Sequence, residues 1–135
     1  NKQYFAIAGD EILKTNDYSS IDKCVLEPSP RKINSKIEDD SRFYELKEID
    51  FSEKHHDSPL SIGLQTAKDI GSKNIYLVGF DGYNDLKNKK ELFLMLENQE
   101  IIDQFTRNNE LVSLTNSRYK NLIQSSIYGE INDKS

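Results

Sequence analysis

The segment from Ser58 to Gly71 constrains the fold of this chain more than any other part of the sequence. Ser58 is a favourable N-cap residue, and Pro59 suits the first helical position, where a missing N–H costs nothing. Gly71 is typical of the residue that ends a helix. Between them, apolar and small residues recur at helical spacing, which predicts a helix that approaches a sheet closely along one stripe. The stripe comprises Leu60, Gly63, Leu64, Ala67 and Ile70.

The segment after this helix predicts a buried strand. Residues 74–79 read NIYLVG, a nearly continuous apolar run that is typical of a parallel strand covered on both faces. Residues 42–49 alternate in part between apolar and polar side chains, and they predict a strand before the helix. Strand, helix and strand together predict a right-handed β-α-β unit, which indicates an α/β fold.

Further elements are predicted on both sides of this unit. Short apolar runs predict strands at residues 4–8, 23–27 and 111–115. Helical spacing predicts a long helix over residues 89–106 and a short helix over residues 118–127. These elements alternate along the chain in the manner of proteins that build a parallel sheet with helices on its faces.

The expected architecture is a single Rossmann-like α/β domain over residues 1–128, with a mainly parallel sheet of about five strands and flanking helices. Residues 29–41 are charged and poor in apolar side chains, which predicts an exposed loop. Residues 129–135 are expected to form a frayed tail. The sequence starts at Asn1 and enters a strand almost at once, so we expect a domain of a longer protein.

Charge and composition disfavour several functional classes. The formal net charge of −5 lacks the basic field that general nucleic-acid or anionic-membrane binding requires. No apolar run approaches the ~20 residues of a membrane-spanning helix, and no signal-peptide pattern is visible. Cys24 is the only cysteine, so no internal disulfide can form. Its position in an apolar run predicts a buried thiol in a reducing, cytoplasmic environment.

Polar segments are predicted to converge at one edge of the sheet. In a parallel sheet the strands end and the following helices begin on the same edge, where open α/β folds bind their ligands. Gly79 and Gly82 give the turn after the buried strand conformational freedom and let a ligand approach the backbone. The candidate ligand-binding residues are Asp10, His55, His56, Asp57, Ser58, Gly79, Asp81, Gly82, Tyr83 and Arg118.

Several of these residues have more than one interpretation. The adjacent His55, His56 and Asp57 could bind a metal, act as a general base with an orienting carboxylate, or form a solvated loop that caps the helix. Asp81 could accept hydrogen bonds from sugar hydroxyls, bind a metal, or bond the backbone of its own turn. The sequence leaves these alternatives open, and no residue is assigned as a metal ligand.

The same edge carries groups that are suited to anions. The free N–H groups at the start of the helix after Ser58 would attract a phosphate or a carboxylate. Arg118 follows the polar residues 115–117 at the end of the last predicted strand, and it could bind an anion or remain solvated. Tyr83 could contact a ligand or cover the edge of the sheet. These residues favour an anionic metabolite as the ligand.

The common nucleophile and cofactor motifs are absent. The sequence contains no G-x-S-x-G elbow, no Walker A loop, no H-E-x-x-H motif and no G-x-G-x-x-G fingerprint. The missing fingerprint disfavours a standard NAD-binding domain. We therefore expect no cofactor within this chain, and the sequence assigns no catalytic residue.

Three sequence runs carry a resemblance to a known family: DSPLSIGLQTAKDIGSKNIYLVGFDGYND, LFLMLENQEI and LTNSRYK. They resemble the accessory domain that follows the barrel in bacterial HMG-CoA-lyase-like, 4-hydroxy-2-oxovalerate-type aldolases, which often occur among surface-polysaccharide genes. The resemblance runs from about Tyr4 to Tyr119. It implies that an upstream barrel, which is not part of this sequence, holds the divalent metal and the lyase chemistry. That barrel would be a partner of this domain.

The segment around residues 74–84 is more distantly similar to Rossmann-like bacterial sialyltransferases and to motility-accessory-factor domains. The shared pattern is a helix with small residues followed by a strand of the type I-Y-L-x-G-x-D-x-Y. In the sialyltransferases this region lies beside the nucleotide-sugar donor. Their catalytic histidine follows the motif, whereas this chain has no histidine after His56.

Three functions follow from these observations as expectations. The first is an accessory domain that binds an anionic metabolite or a nucleotide-sugar at the edge formed by Ser58, Gly79, Asp81 and Tyr83. The second is a sialyltransferase-like glycosyltransferase that uses His55 or His56 as its base. The third is a non-catalytic interaction domain that dimerises or binds its own barrel. It would use an apolar front formed by Leu92, Phe93 and Leu96.

Overall fold

The computed structural model describes residues 3–7, 23–28, 42–82 and 88–133. The strands are β1 (Tyr4–Ile7), β2 (Lys23–Leu26), β3 (Phe43–Glu45), β4 (Tyr76–Leu77), β5 (Val112–Ser113) and β6 (Ile123–Gln124). The helices are α1 (Pro59–Asp69), α2 (Lys89–Phe105) and α3 (Ile127–Asp133). Asp10, the predicted loop at residues 29–41 and Tyr83 lie outside the described residues.

The chain divides into two compact units, Asn1–Gly71 and Ser72–Ser135. Each unit contains a three-stranded parallel sheet, with strand order β1-β2-β3 in the first and β4-β5-β6 in the second. The prediction of an α/β chain with parallel strands is confirmed. The finer prediction of a single sheet of about five strands is wrong for the described residues, because their six strands form two sheets of three. The predicted domain boundary at residue 128 stays a prediction.

The expected β-α-β unit around α1 is also wrong, because β3 and β4 belong to different sheets. The hydrogen bonds of β4 go to the β5 segment: Val112 N–H donates to Ile75 O (3.1 Å) and Leu114 N–H donates to Leu77 O (3.0 Å). The β-α-β unit of the second sheet is therefore β4-α2-β5. An apolar run indicates a strand, but it does not specify which strand will be its partner.

In the first unit, helix α1 packs against the β1-β2-β3 sheet. Side chains alternate between the two faces of a sheet, so the pairing of Val25 with Ala6 on β1 places both on the same face. Helix α1 contacts β1 and β2. Val25, Leu46, Ile49 and Ile62 form a buried cluster, against which Ala6 and Phe51 pack. This cluster joins the sheet to α1.

Helix α1 has nearly the predicted limits. It begins at Pro59 and ends at Asp69, and Gly71 then adopts the left-handed φ of +79° that glycine tolerates. Ser58 is the N-cap residue, but its side chain makes no capping hydrogen bond. Its carbonyl oxygen accepts the first helical bond, from Ile62 N–H at 3.0 Å. The signals for starting and ending a helix were therefore informative, although the expected side-chain cap is absent.

The buried side of α1 differs from the predicted stripe. Leu60 and Leu64 are buried, whereas Gly63 is exposed and Ile70 is 57% exposed. A Cβ atom added at Gly63 would meet nothing within 4 Å, so this small residue does not serve a close approach to the sheet. The remaining buried residues of the helix are Ser61, Ile62 and Gln65. The spacing of apolar residues along a helix cannot predict which polar residues are buried.

Polar contacts fasten α1 to the segment after β3. Gln65 Oε1 accepts a hydrogen bond from Asp50 N–H, and Gln65 Nε2 donates to Asp69 Oδ1, both at 2.9 Å. Lys68 Nζ donates to Asp50 Oδ1 at 2.6 Å. The hydrogen bond from Lys68 lowers the pKa of Asp50 below its ordinary value of 3.8. Because this lysine favours the ionised carboxylate, the contact stabilises the folded form only while Asp50 is charged.

We expect Asp50→Asn to lower the free energy of unfolding by about 0.5 kcal/mol at about pH 7, the size of an exposed ion pair. A carboxylate whose pKa is lowered by folding stabilises the protein above its unfolded pKa, and it loses that contribution as the pH falls through its folded pKa. The difference between Asp50→Asn and the wild type should therefore vanish in acid. Urea unfolding at several pH values measures it, and a difference that persists in acid would contradict the assignment.

The second unit is organised by α2. Asn88 caps this helix, with its side-chain oxygen accepting from Lys90 N–H (3.0 Å) and Glu91 N–H (3.4 Å). Three apolar residues near its C-terminal end are fully buried, in agreement with prediction. They are Ile101, Ile102 and Phe105. The apolar front at its start, which was predicted as a possible interaction surface, is exposed: Phe93 is 72% exposed and Leu96 is 61% exposed.

Side-chain hydrogen bonds attach α2 to the loop between β5 and β6. Gln99 Oε1 accepts from Lys120 N–H at 2.8 Å, and Gln99 Nε2 donates back to Lys120 O at 3.1 Å. Asn98 Nδ2 donates to the Tyr119 hydroxyl at 3.2 Å. Since Tyr119 is buried, these bonds hold the loop after β5 in a defined position against the helix.

Three secondary-structure predictions in the second unit need correction. The predicted helix at residues 118–127 contains β6, because Ile123 N–H donates to Leu111 O and Ser125 N–H donates to Ser113 O, both at 2.9 Å. Helix α3 occupies much of the predicted tail. The predicted strand at residues 74–79 is two residues long, and Val78 is 61% exposed rather than covered on both faces. Short apolar runs do not distinguish helix from strand by periodicity alone.

Candidate functional site

Two polar turns meet at the carboxyl edge of the second sheet. We call residues 79–82, which follow β4, the β4 turn, and residues 115–118, which follow β5, the β5 turn. Gly79 N–H donates to Thr115 Oγ1 at 3.2 Å, and Ser117 Oγ donates to Phe80 O at 2.5 Å. The backbone N–H of Arg118 donates to Asp81 O at 2.9 Å. The predicted convergence of these two segments is therefore observed.

The glycines of the β4 turn have the conformations expected for them. Gly79 and Gly82 have φ angles of +81° and +93°, which side-chain-bearing residues rarely adopt. A Cβ atom added at Gly82 would lie 3.1 Å from Met95 Cε and 3.1 Å from Arg118 Cβ. The space beside Gly82 is thus occupied by the protein's own side chains, whereas a Cβ at Gly79 would meet nothing within 4 Å.

A cavity of about 390 Å³ lies between the two turns. In the part of the chain that the structure describes, neither the Asp81 carboxylate nor the Arg118 guanidinium has a hydrogen-bond or ion-pair partner. The backbone of Asp81, rather than its carboxylate, fixes the turn through its carbonyl oxygen. Both charged groups are therefore available to a ligand. The cavity is lined by Asp81, Gly82, Asn116, Ser117 and Arg118.

The histidine segment lies in the first unit and has contacts of its own. His56 Nε2 lies 2.9 Å from Ser52 O, so this ring nitrogen donates to the carbonyl. His55 has a φ of +58°, in the left-handed region that histidine enters more readily than most residues. Its carbonyl oxygen accepts from Ser58 N–H at 3.1 Å. These contacts form the turn that leads into α1, which fits the interpretation of a structural loop.

The start of α1 is covered rather than open to solvent. Ser58 and Leu60 are each 7% exposed, and Ser61 is fully buried. An anion from solvent would need access to the backbone N–H groups of these residues. Asp57 is half-buried beside them. Across the described ranges, no three histidine, cysteine, aspartate or glutamate side chains are grouped so that they could hold a metal ion.

Residues 115–117 were predicted to lie at this edge of the sheet, but Asn116, Ser117 and Met95 were not predicted to be residues of the site. Asn116 and Ser117 line the cavity, and Met95 of α2 packs against Gly82. The run Thr-Asn-Ser-Arg directly after an apolar strand was the available signal for the first two, since small polar side chains after a parallel strand lie at its ligand edge. No sequence signal identifies Met95, because its contact depends on how α2 packs.

Comparison with known proteins adds no family to this description. None of the helices in the described ranges is both long enough and apolar enough to cross a membrane. No protein-family model matches the sequence, and no curated protein or solved structure is significantly similar to it.

Proposed function

We propose that this chain is a small-molecule-binding α/β domain whose second unit binds a phosphorylated sugar, free or as part of a nucleotide-sugar. The observation that carries the proposal is the cavity between the β4 and β5 turns, which Asp81 and Arg118 line with charged groups that have no partner among the described residues. The cavity lies at the carboxyl edge of a parallel sheet, the usual ligand position in α/β folds.

The two charged groups suit the two parts of such a ligand. A guanidinium binds phosphate oxygens through paired, charge-assisted hydrogen bonds, which fits Arg118. A carboxylate only accepts hydrogen bonds, which fits a role for Asp81 in binding sugar hydroxyl groups. The Asn116 amide can donate and accept, and it also lines the cavity. A ligand with both an anionic group and hydroxyl groups therefore satisfies more of this cavity than a simple anion does.

The wider context is also a proposal. The sequence resemblance to aldolase accessory domains would make this chain a ligand-binding part of a larger cytoplasmic protein with a catalytic barrel. Two features support a binding role over a catalytic one in this chain. His56 contacts Ser52 O within its own loop, and among the described residues the cavity of the second unit is lined by no histidine, cysteine or glutamate.

Thermal unfolding with glucose 1-phosphate and with UDP-glucose tests the proposal. At least one of them should raise the melting temperature, because a ligand that binds only the folded form stabilises it. Inorganic phosphate and glucose alone should bind more weakly than the compound that joins them. Arg118→Gln should weaken binding about tenfold, the effect of losing one charge-assisted hydrogen bond.

Matched controls separate the site from general charge effects. Arg107→Gln, the control for Arg118→Gln, removes an exposed arginine of the same unit that does not line the cavity. Glu110→Gln, the control for Asp81→Asn, removes an exposed carboxylate that does not line it either. Both controls should bind as the wild type does. The proposal fails if none of the four compounds raises the melting temperature, or if Arg118→Gln and Arg107→Gln have equal effects.

A further inference from the structure

A second cavity, of about 250 Å³, lies within the first unit. Tyr4 and Lys23 begin β1 and β2 and pair with each other, so this cavity lies at the amino edge of the sheet. Asp69 and Ile70, at the C-terminal end of α1, line its other side. This is the edge opposite to the one where α1 begins. Neither the sequence nor the proposed function assigns a role to it.

The lining combines an apolar floor with an aromatic rim. Val25 and Leu46 line the cavity and are each only 2% exposed, so they belong to the core. Tyr4 and Tyr44 line it too, and they are 41% and 62% exposed. Within the described residues neither tyrosine hydroxyl has a hydrogen-bond partner. An apolar floor beneath exposed aromatic rings is suited to an apolar group of a ligand.

The rim also carries two opposite charges that do not pair with each other. Lys23 has no ion-pair or hydrogen-bond partner among the described residues, and Asp69 accepts only from Gln65. The C-terminal end of α1, where Asp69 lies, has a partial negative charge and favours a cation. The ammonium of Lys23 favours an anion. A ligand with a single charge would satisfy one of these groups and oppose the other.

We propose that this cavity binds a small zwitterion with an apolar body, of the class of a free α-amino acid with an aromatic or branched aliphatic side chain. Its carboxylate would contact Lys23, and its ammonium would contact Asp69 and the end of α1. Its side chain would cover Val25 and Leu46 between the two tyrosines. The cavity is below the ~300–1,000 Å³ of pockets for drug-sized ligands, which fits a small metabolite.

Three related compounds test the two charges separately: L-phenylalanine, 3-phenylpropionate, which lacks the ammonium, and phenethylamine, which lacks the carboxylate. Titration of the ¹⁵N-labelled chain should show L-phenylalanine shifting the amide signals of Tyr4, Lys23, Tyr44 and Ile70. L-phenylalanine should bind about fivefold tighter than either analogue, the effect of losing one partly exposed charged contact. These comparisons use only the wild-type protein, so they do not depend on the folding of a variant.

Two variants should then give opposite patterns. Lys23→Gln should weaken L-phenylalanine and 3-phenylpropionate about fivefold and leave phenethylamine unchanged. Asp69→Asn should weaken L-phenylalanine and phenethylamine and leave 3-phenylpropionate unchanged. Lys47→Gln and Glu48→Gln, exposed residues of the same unit outside the cavity, should change none of them. The proposal is overturned if L-phenylalanine and L-leucine leave those four amides unshifted at millimolar concentration, or if the three compounds bind equally.

Discussion

Phe105→Ala is expected to destabilise the second unit by about 3–5 kcal/mol, a large part of the stability of a small folded unit. Phe105 is the last residue of α2 and is completely buried, together with Ile101 and Ile102 on the same helix. Removing its ring loses the free energy of burying it and leaves a cavity in the core, and both effects lower the free energy of unfolding. Urea unfolding followed by circular dichroism measures the change.

Phe93→Ala is the matched control on the same helix. Phe93 is 72% exposed, so the same truncation there should change the free energy of unfolding by less than about 0.5 kcal/mol. Both substitutions replace phenylalanine with alanine in α2, which largely cancels differences in helix propensity. Equal losses for the two variants would contradict the buried side of α2 as described.

Gly82→Ala is expected to destabilise the chain by about 1–3 kcal/mol for two independent reasons. The φ of +93° is strained for any residue with a side chain. The added methyl group would also come within 3.1 Å of Met95 Cε and Arg118 Cβ. Because Arg118 must then shift, we expect this variant to weaken sugar-phosphate binding as well. Urea unfolding and the thermal assay measure the two effects.

Gly63→Ala provides the opposite expectation for the same chemical change. Gly63 lies in the interior of α1, is exposed, and has no atoms within 4 Å of an added Cβ. Alanine should therefore stabilise the chain by about 0.5–1 kcal/mol, since it lowers the conformational entropy of the unfolded chain. Stabilisation by Gly82→Ala would contradict the described β4 turn, and destabilisation by Gly63→Ala would contradict the open space beside Gly63.

Local features of the fold could be predicted because they depend on nearby residues. Pro59 and Gly71 identified the limits of α1, and the apolar spacing around Ile101 and Phe105 identified the buried side of α2. Strand partners could not be predicted, because β4 pairs with a strand 36 residues further along, as the register of Tyr76 with Val112 shows. Such pairing depends on the packing of the whole unit rather than on any short pattern.

The candidate site, like the fold, could be predicted from the sequence only in part. The rule that parallel strands end on one edge correctly brought Asp81 and Arg118 together. It does not apply across the two units, because it assumed one continuous sheet, whereas the segment of His55 and Ser58 belongs to the first unit, which has its own sheet. The cavity beside Lys23 was missed entirely, since it depends on the register of β1 with β2 and on where α1 ends.

The central claim is that a phosphorylated sugar binds between the β4 and β5 turns. Titration of the ¹⁵N-labelled chain with glucose 1-phosphate, followed by amide chemical shifts, tests it most directly. We expect saturable shifts at Gly79, Asp81, Gly82, Asn116 and Arg118. Arg118→Gln should need about tenfold more ligand for the same shifts, whereas Arg107→Gln should titrate as the wild type does. Unchanged signals at these five residues up to millimolar glucose 1-phosphate and UDP-glucose would contradict the claim.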